Sequence, residues 1–247
     1  MTAVNFIPLS DMCLPAVLVE EKDFLIVYKP PRMHSAPRPR SVEADTLLDW
    51  CVLKFPDIAN ISGRKAGEGG LLHRLDYETQ GLLLIARTQA GMDFFLEQQN
   101  SGKIRKEYSA LTSPAGQHFP GFPAEKPPSP RPGLRIQSAF RPYGPGRKAV
   151  RPVTAGEHYV TEILETQPFA GGLTAFRLGI VRGFRHQIRS HLAWLRVPIL
   201  NDSLYGGESF GRGFLGLRAC SLLFTDPALG GERVFSISPL EPGALDL

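Results

Sequence analysis

Residues 113–152 carry ten of the chain's 22 prolines, with several glycines among them and almost no apolar periodicity. Proline has no backbone N–H and a locked φ, so such a stretch does not read as a helix or an interior strand. Structureless stretches of this length are uncommon inside compact domains and usually serve a function. Strand-like and helix-like segments resume after it without a second self-contained core. The expectation is one domain over residues 1–247, with an extended, basic, proline-rich insertion at about 114–152 rather than a linker between two domains.

Elsewhere the chain reads in short elements. Residues 16–19 and 24–28 suggest two strands around the acidic turn Glu20-Glu21-Lys22-Asp23, the second stopped by Lys29-Pro30-Pro31. Residues 46–55 repeat Leu47, Trp50, Cys51 and Phe55 at helical spacing. A glycine-rich loop at 63–70 leads into the segment beginning at His73 and reads as a flexible approach to it. The bounded apolar run 82–86 reads as a buried strand, and Thr88 can cap a helix whose apolar face is Met92, Phe95 and Leu96. Further strands are expected at 104–111, 157–166, 174–181 and within 215–240. Residues 184–195 suggest a helix with Ile188, Leu192 and Leu195 on one face. Strands dominate and no regular β-α alternation appears. The expected class is α+β, a mixed, mainly antiparallel central sheet with flanking helices.

Composition narrows the function classes. No apolar run approaches the ~18 residues that a membrane helix needs. The N-terminus has neither a basic start nor a sustained apolar core, which argues against a signal peptide. Cys13, Cys51 and Cys220 are far apart and odd in number. That pattern suits reduced thiols in a cytoplasm and argues against a disulfide framework or a zinc site. Net charge is +4, and its distribution says more than its size. Between residues 126 and 151 there are seven basic residues and no acid, and residues 166–201 hold five arginines and no acid. Arginine outnumbers lysine 20 to 8. The planar guanidinium suits phosphate oxygens and stacks on bases, so a nucleic acid is the expected partner.

Asp76 sits in a polar patch just before the buried run 82–86, with Arg74 beside it. A carboxylate there can be held by rigid sheet while its oxygens face a cleft. By itself the residue also suits a plain turn. Taken as a longer pattern, His73-Arg74-Leu75-Asp76-Tyr77-Glu78-Thr79-Gln80-Gly81-Leu82-Leu83-Leu84 resembles the signature of the RluA-type pseudouridine synthases, with Gln80 in place of a serine. The resemblance continues in the family's order. It takes in Val17 to Lys29-Pro30-Pro31, Lys106-Glu107-Tyr108-Ser109-Ala110, and Gly183-Phe184-Arg185-His186-Gln187-Ile188-Arg189-Ser190-His191-Leu192. It ends with Pro198-Ile199-Leu200-Asn201-Asp202-Ser203-Leu204-Tyr205-Gly206 and covers roughly residues 17–240.

That resemblance implies an RNA-modifying isomerase working without cofactor or metal. Such an enzyme detaches uracil from its ribose, turns it and rejoins it through carbon, acting on a base flipped out of its stack. Asp76 is then the catalytic aspartate, ionised so that it can add to the anomeric carbon, add to the base, or assist sugar deprotonation. Arg189 matches the arginine that lowers and orients such a carboxylate. Tyr108 matches the tyrosine that packs against the flipped base, and Arg74 is expected to hold the extruded nucleotide or fill its gap. The implied partner is ribosomal or transfer RNA, met by a cytoplasmic monomer with no separate N-terminal RNA-binding domain. The insertion at 114–152 is the candidate RNA-contacting segment.

Departures from the pattern are Gln80, the pair Phe184-Arg185 where Arg-Thr is common, and Arg218 and Asp226 where histidines are usual. They leave Asp76, Tyr108 and Arg189 in place and put substrate identity in doubt. His186 and His191 are five apart and form no zinc-helix pair, so structural roles are expected for the histidines. Two other classes compete: an RNA-binding factor that has lost turnover, and a glycoside-acting enzyme. The second needs another carboxylate, for which only Glu78 is near in sequence.

Overall fold

The computed structural model describes residues 4–6, 13–37, 45–113, 116, 118–123, 128–211 and 213–245. In chain order the elements are β1 (Val4–Phe6), β2 (Ala16–Glu20), β3 (Phe24–Lys29), α1 (Leu47–Lys54), β4 (Gln80–Ala86), α2 (Gln89–Asn100), β5 (Arg105–Thr112), β6 (Arg135–Tyr143) and β7 (Ala149–Val153). There follow β8 (Tyr159–Pro168), β9 (Thr174–Ile180), α3 (Gln187–Trp194), β10 (Leu217–Thr225) and β11 (Glu232–Ser236). The class is α+β. Two compact units emerge, Met1–Lys106 with Ala219–Ser238, and Glu107–Arg218 with Pro239–Leu247.

The first unit is organised on β2-β3-β4-β10, with β11 pairing β10 antiparallel and β1 pairing β11 in parallel. Strands β3 and β4 run antiparallel from Phe24↔Ala86 to Lys29↔Gly81. Every residue of both is buried, so both faces of this pair are covered. That is why the sequence shows continuous apolar runs here rather than alternation. Helix α2 starts where expected, with Thr88 Oγ1 accepting from the Gly91 N–H at 3.0 Å. It inserts Met92 and Phe95 into the core, where Phe24 meets Phe95 and Phe224 edge-on at 5.8 and 5.3 Å. Helix α1 begins with a reciprocal capping box between Thr46 and Asp49.

The glycine-rich approach is fastened at its end. Gly70 lies against β4, its carbonyl accepting from the Ala86 N–H at 2.8 Å. A Cβ at Gly70 would overlap the Ala86 carbonyl. The glycine serves close backbone approach, which sequence alone does not distinguish from looseness.

The second unit follows the order β5-β9-β8-β6-β7, with β8–β9, β6–β8 and β6–β7 antiparallel. Here the expected loop at 114–152 is corrected in part, because its second half is the hairpin β6–β7. Pairing runs from Ala139↔Val153 to Tyr143↔Ala149. The prolines survive because of where they fall. Pro152 is on the terminal strand β7, and Pro142 is on the part of β6 that has already left β8, positions where a missing N–H costs the ladder least.

Helix α3 is also shorter than 184–195 and differs in character. Its first seven residues, Gln187 to Ala193, are all buried, not one apolar face alone. The polar ones are satisfied internally. Gln187 Nε2 donates to the Val160 carbonyl at 2.9 Å, Ser190 Oγ to the Val150 carbonyl at 3.1 Å, and His191 bonds Thr161 Oγ1 and Ser138 Oγ, both at 2.9 Å.

Candidate active site

The backbone on both sides of Asp76 is held by the segment that follows β3. Ser35 Oγ accepts from the Leu75 N–H at 3.0 Å and donates to the Leu75 carbonyl at 2.9 Å. On the other side the Tyr77 carbonyl accepts from the Met33 N–H at 3.2 Å and from Lys29 Nζ at 3.2 Å. The Thr79 N–H closes a turn onto the Asp76 carbonyl at 3.1 Å. The half-buried Asp76 thus leaves a backbone whose neighbours are pinned, directly before the fully buried β4. The turn expected at Asp76 is present, with its neighbours held on both sides.

Lys29 is fully buried, and its ammonium donates to the carbonyls of Pro30 and Met33, both at 2.8 Å, as well as to Tyr77. Burial pulls its pKa down to about 7, while the Asp76 carboxylate acts to raise it. A basic group thus faces the loop that carries Asp76. His73 and Lys106 are also in this unit. Burial, then Lys106 and Arg64, hold His73 well below the usual histidine range, and burial with Arg64 brings Lys106 to about 8. Arg74 is exposed and pairs with Glu68 of the glycine-rich loop at 3.3 Å. Gln80, the departure from the family pattern, is buried and accepts from the Tyr28 hydroxyl at 2.8 Å. Its side chain supports β4 rather than disturbing Asp76.

Tyr108 and Arg189 belong to the second unit. Tyr108 is buried on β5. Arg189, in the first turn of α3, donates from Nε and Nη2 to the two carboxylate oxygens of Asp202 at 2.7 and 2.8 Å. The Tyr205 ring lies 5.4 Å from the guanidinium carbon, and the Tyr205 hydroxyl accepts from the Val150 N–H at 2.8 Å. His186 Nδ1 is 3.2 Å from that hydroxyl. Burial first, then Arg189 and Arg185, push His186 down to about 3, so it is a neutral hydrogen-bonding ring near pH 7. His191 is brought to about 3 by burial and is likewise structural.

The predicted residues therefore divide, with Asp76 and Arg74 in one unit and Tyr108 and Arg189 in the other. Residue-by-residue reading missed Lys29, Ser35, Asp202 and Tyr205. Lys29, Asp202 and Tyr205 lay inside recognisable motifs, and a buried lysine or an aspartate trailing an arginine helix was the available signal. Ser35 gave none. Among the described residues no group of three or more His, Cys, Asp or Glu side chains could hold a metal ion.

The α+β fold has solved counterparts. Human RNA pseudouridylate synthase domain containing 1 superposes with a TM-score of 0.61 at 21% identity, covering 95% of this chain and 88% of that one. Human RNA pseudouridylate synthase domain containing 4 gives 0.60 at 19%, covering 93% and 90%. The fold is thus that of pseudouridine synthases. Residues 23–194 match the RNA pseudouridylate synthase family model, and the chain belongs to that family. Among curated relatives, ribosomal large subunit pseudouridine synthase D of Vibrio parahaemolyticus is 28% identical over 236 residues, 90% of this chain and 66% of that protein. The Escherichia coli protein of the same name is 28% identical over 192 residues, 78% and 52%. The chain spans about half to two thirds of the length of these relatives.

Proposed function

We propose that this chain is an RNA pseudouridine synthase acting on large-subunit ribosomal RNA, with residues 1–247 working as one catalytic domain. The observation that carries the reading is the double clamp around Asp76, in which Ser35 holds Leu75 while Met33 and Lys29 hold Tyr77. A turn aspartate needs no such fixation, whereas a carboxylate that must meet a flipped nucleotide does. The family match supports the reaction, and the names of the curated relatives support the ribosomal target.

In this reading Asp76 is the ionised nucleophile. The N1–C1′ bond of the target uridine breaks, the uracil turns, a C5–C1′ bond forms, C5 loses its proton and N1 regains one. Tyr108 gives the flipped base a flat face and a hydroxyl within the proton traffic. Arg189 supplies the positive charge that keeps the aspartate ionised, and Arg74 holds the displaced nucleotide or fills its gap. The enzyme uses no metal and no cofactor and works as a cytoplasmic monomer. Among the described residues no helix is long and apolar enough to cross a membrane. RNA backbone is met by the β6–β7 hairpin, since residues 126–151 hold seven basic side chains and no acid. Arg141, Arg147 and Lys148 are exposed at and near its tip.

The test is a pseudouridine map of cellular RNA from a strain lacking the gene, compared with strains restored by the wild type and by Asp76→Ala. At least one site in large-subunit RNA should vanish and return only with the wild type. If every site persists, or Asp76→Ala restores the lost one, the proposal fails.

A further inference from the structure

We propose that Asp202 and Tyr205 are positioning residues of this enzyme, acting through Arg189 to fix the plane and direction of its guanidinium. The inference rests on the proposed role of Arg189 as the charge that keeps Asp76 ionised. The geometry is that of a socket. Asp202 takes the Nε–Nη2 edge with both carboxylate oxygens at 2.7 and 2.8 Å, a bidentate arrangement that sets orientation as well as distance. The Tyr205 ring stands 5.4 Å from the guanidinium carbon and closes one side.

The socket is itself immobilised. Asp202 is fully buried. Its N–H donates to the Ile199 carbonyl at 3.1 Å, and its carbonyl accepts from Tyr205 and Gly207 at 3.0 and 2.8 Å. A Cβ at Gly207 would overlap the Ile199 carbonyl, so this turn admits little else. The Tyr205 hydroxyl reaches across to β7, accepting from the Val150 N–H at 2.8 Å and standing 3.2 Å from the Val150 carbonyl. His186, in left-handed backbone at the start of α3, bonds the same hydroxyl. Three separate stretches of chain thus hold the socket around one guanidinium: β7, the start of α3, and the turn at 199–207 that carries Asp202 and Tyr205.

Stability is a poor explanation for such a pair. Removing two charges from water costs about as much as their attraction returns, and apolar side chains of the same volume would often serve the fold equally well. A buried bidentate pair does hold a long, rotamer-rich side chain in a single pose, and placement of charge to within a fraction of an ångström is what electrostatic catalysis demands. Asp202 and Tyr205 lie in the Pro198 to Gly206 segment, where the sequence offers no chemistry of its own.

The test uses the full chain and, as substrate, RNA labelled with 5-tritiated uridine from cells lacking the gene. Tritium release reads loss of the C5 proton. Asp202→Asn should lower kcat at least about tenfold while the apparent KM for RNA stays within about twofold. Asp202→Glu, which restores the charge, should recover part of the loss. Arg189→Lys should lose at least as much as Asp202→Asn. The double variant should be no worse than Arg189→Lys alone within about twofold, because nothing is left to position. Full kcat in Asp202→Asn beside a crippled Arg189→Lys sinks the positioning inference alone, as do losses that multiply in the double variant. Full activity in Arg189→Lys overturns instead the role of Arg189 on which the inference rests. Should Asp202→Asn fail to fold, Tyr205→Phe carries the same question. It keeps the ring, frees it from Val150, and should lower kcat severalfold at constant KM; unchanged kcat there counts against the inference.

Discussion

Ser35 Oγ holds both backbone groups of Leu75, the N–H at 3.0 Å and the carbonyl at 2.9 Å, forty residues away in the chain. One hydroxyl thereby fixes the peptide units directly before Asp76. Ser35→Ala leaves a buried N–H and a buried carbonyl without that partner, which costs about 1–3 kcal/mol. The expected result is a melting temperature lower by several degrees and a drop in kcat larger than the stability loss explains. Denaturation and tritium release on one preparation check this, and a stable variant with normal kcat removes the clamp from the mechanism.

Stability should depend on pH through the buried lysines. Lys29 titrates at about 7 and Lys106 at about 8, both below the ordinary 10.5 and both mainly through burial. Above those folded-state values and below 10.5 the unfolded chain holds protons that the folded chain has given up, so stability rises with pH across this window. Below pH 7 both lysines are charged in either state and the full burial cost applies. The melting temperature should therefore climb from pH 7 to pH 9, and Lys29→Met should climb less because only the Lys106 share remains. Equal slopes for the two proteins contradict the assignment.

Gly81, second in β4, has φ +126°, and a Cβ there would overlap the Ala219 carbonyl of β10. Both the backbone conformation and the close approach exclude a side chain. Gly81→Ala should cost roughly 3 kcal/mol or more, combining backbone strain with a steric clash. The same substitution at Gly133, with nothing within 4 Å of a Cβ, should cost less because only its φ of +81° is strained. Urea unfolding of the two variants side by side gives the comparison.

On the β6–β7 hairpin, Arg141 stands directly across from Arg151 in the register, a like-charge placement that isolated sheets disfavour. In the proposed function an RNA backbone lying over this face offsets that repulsion. Arg141→Gln with Lys148→Gln should weaken binding to ribosomal RNA and reduce the slope of log affinity against log salt by about 1 to 2. The fold should be unaffected, since both side chains are exposed. Filter binding across a salt series measures it, and an unchanged slope takes the hairpin out of the interface.

Some of this was readable in the sequence because the cause is local. The run at 82–86 is apolar without interruption, and it became a strand buried on both faces. Thr88 bonds an amide three residues on, so α2 was visible with its cap. Asp76 stood out through its neighbours in one continuous motif. The hairpin was hidden, because proline density argues against strands unless it is known that Pro142 and Pro152 face no third strand. The true character of α3 was hidden too. Gln187, Ser190 and His191 look like a wet face, and each finds a buried partner on a strand.

Sequence by itself determined the strand-rich class, the placement of Asp76 before a buried strand, and the basic stretches suited to a polyanion. These follow from side-chain chemistry and spacing along a few residues. Tertiary structure alone decided that Ser35 grips Leu75, that Lys29 sits buried beneath the Asp76 loop, and that Arg189 is locked by Asp202 and framed by Tyr205. Each of those depends on a hydrogen bond or charge pair between residues thirteen or more positions apart. Such bonds are oriented to within tenths of an ångström only after the intervening chain has folded.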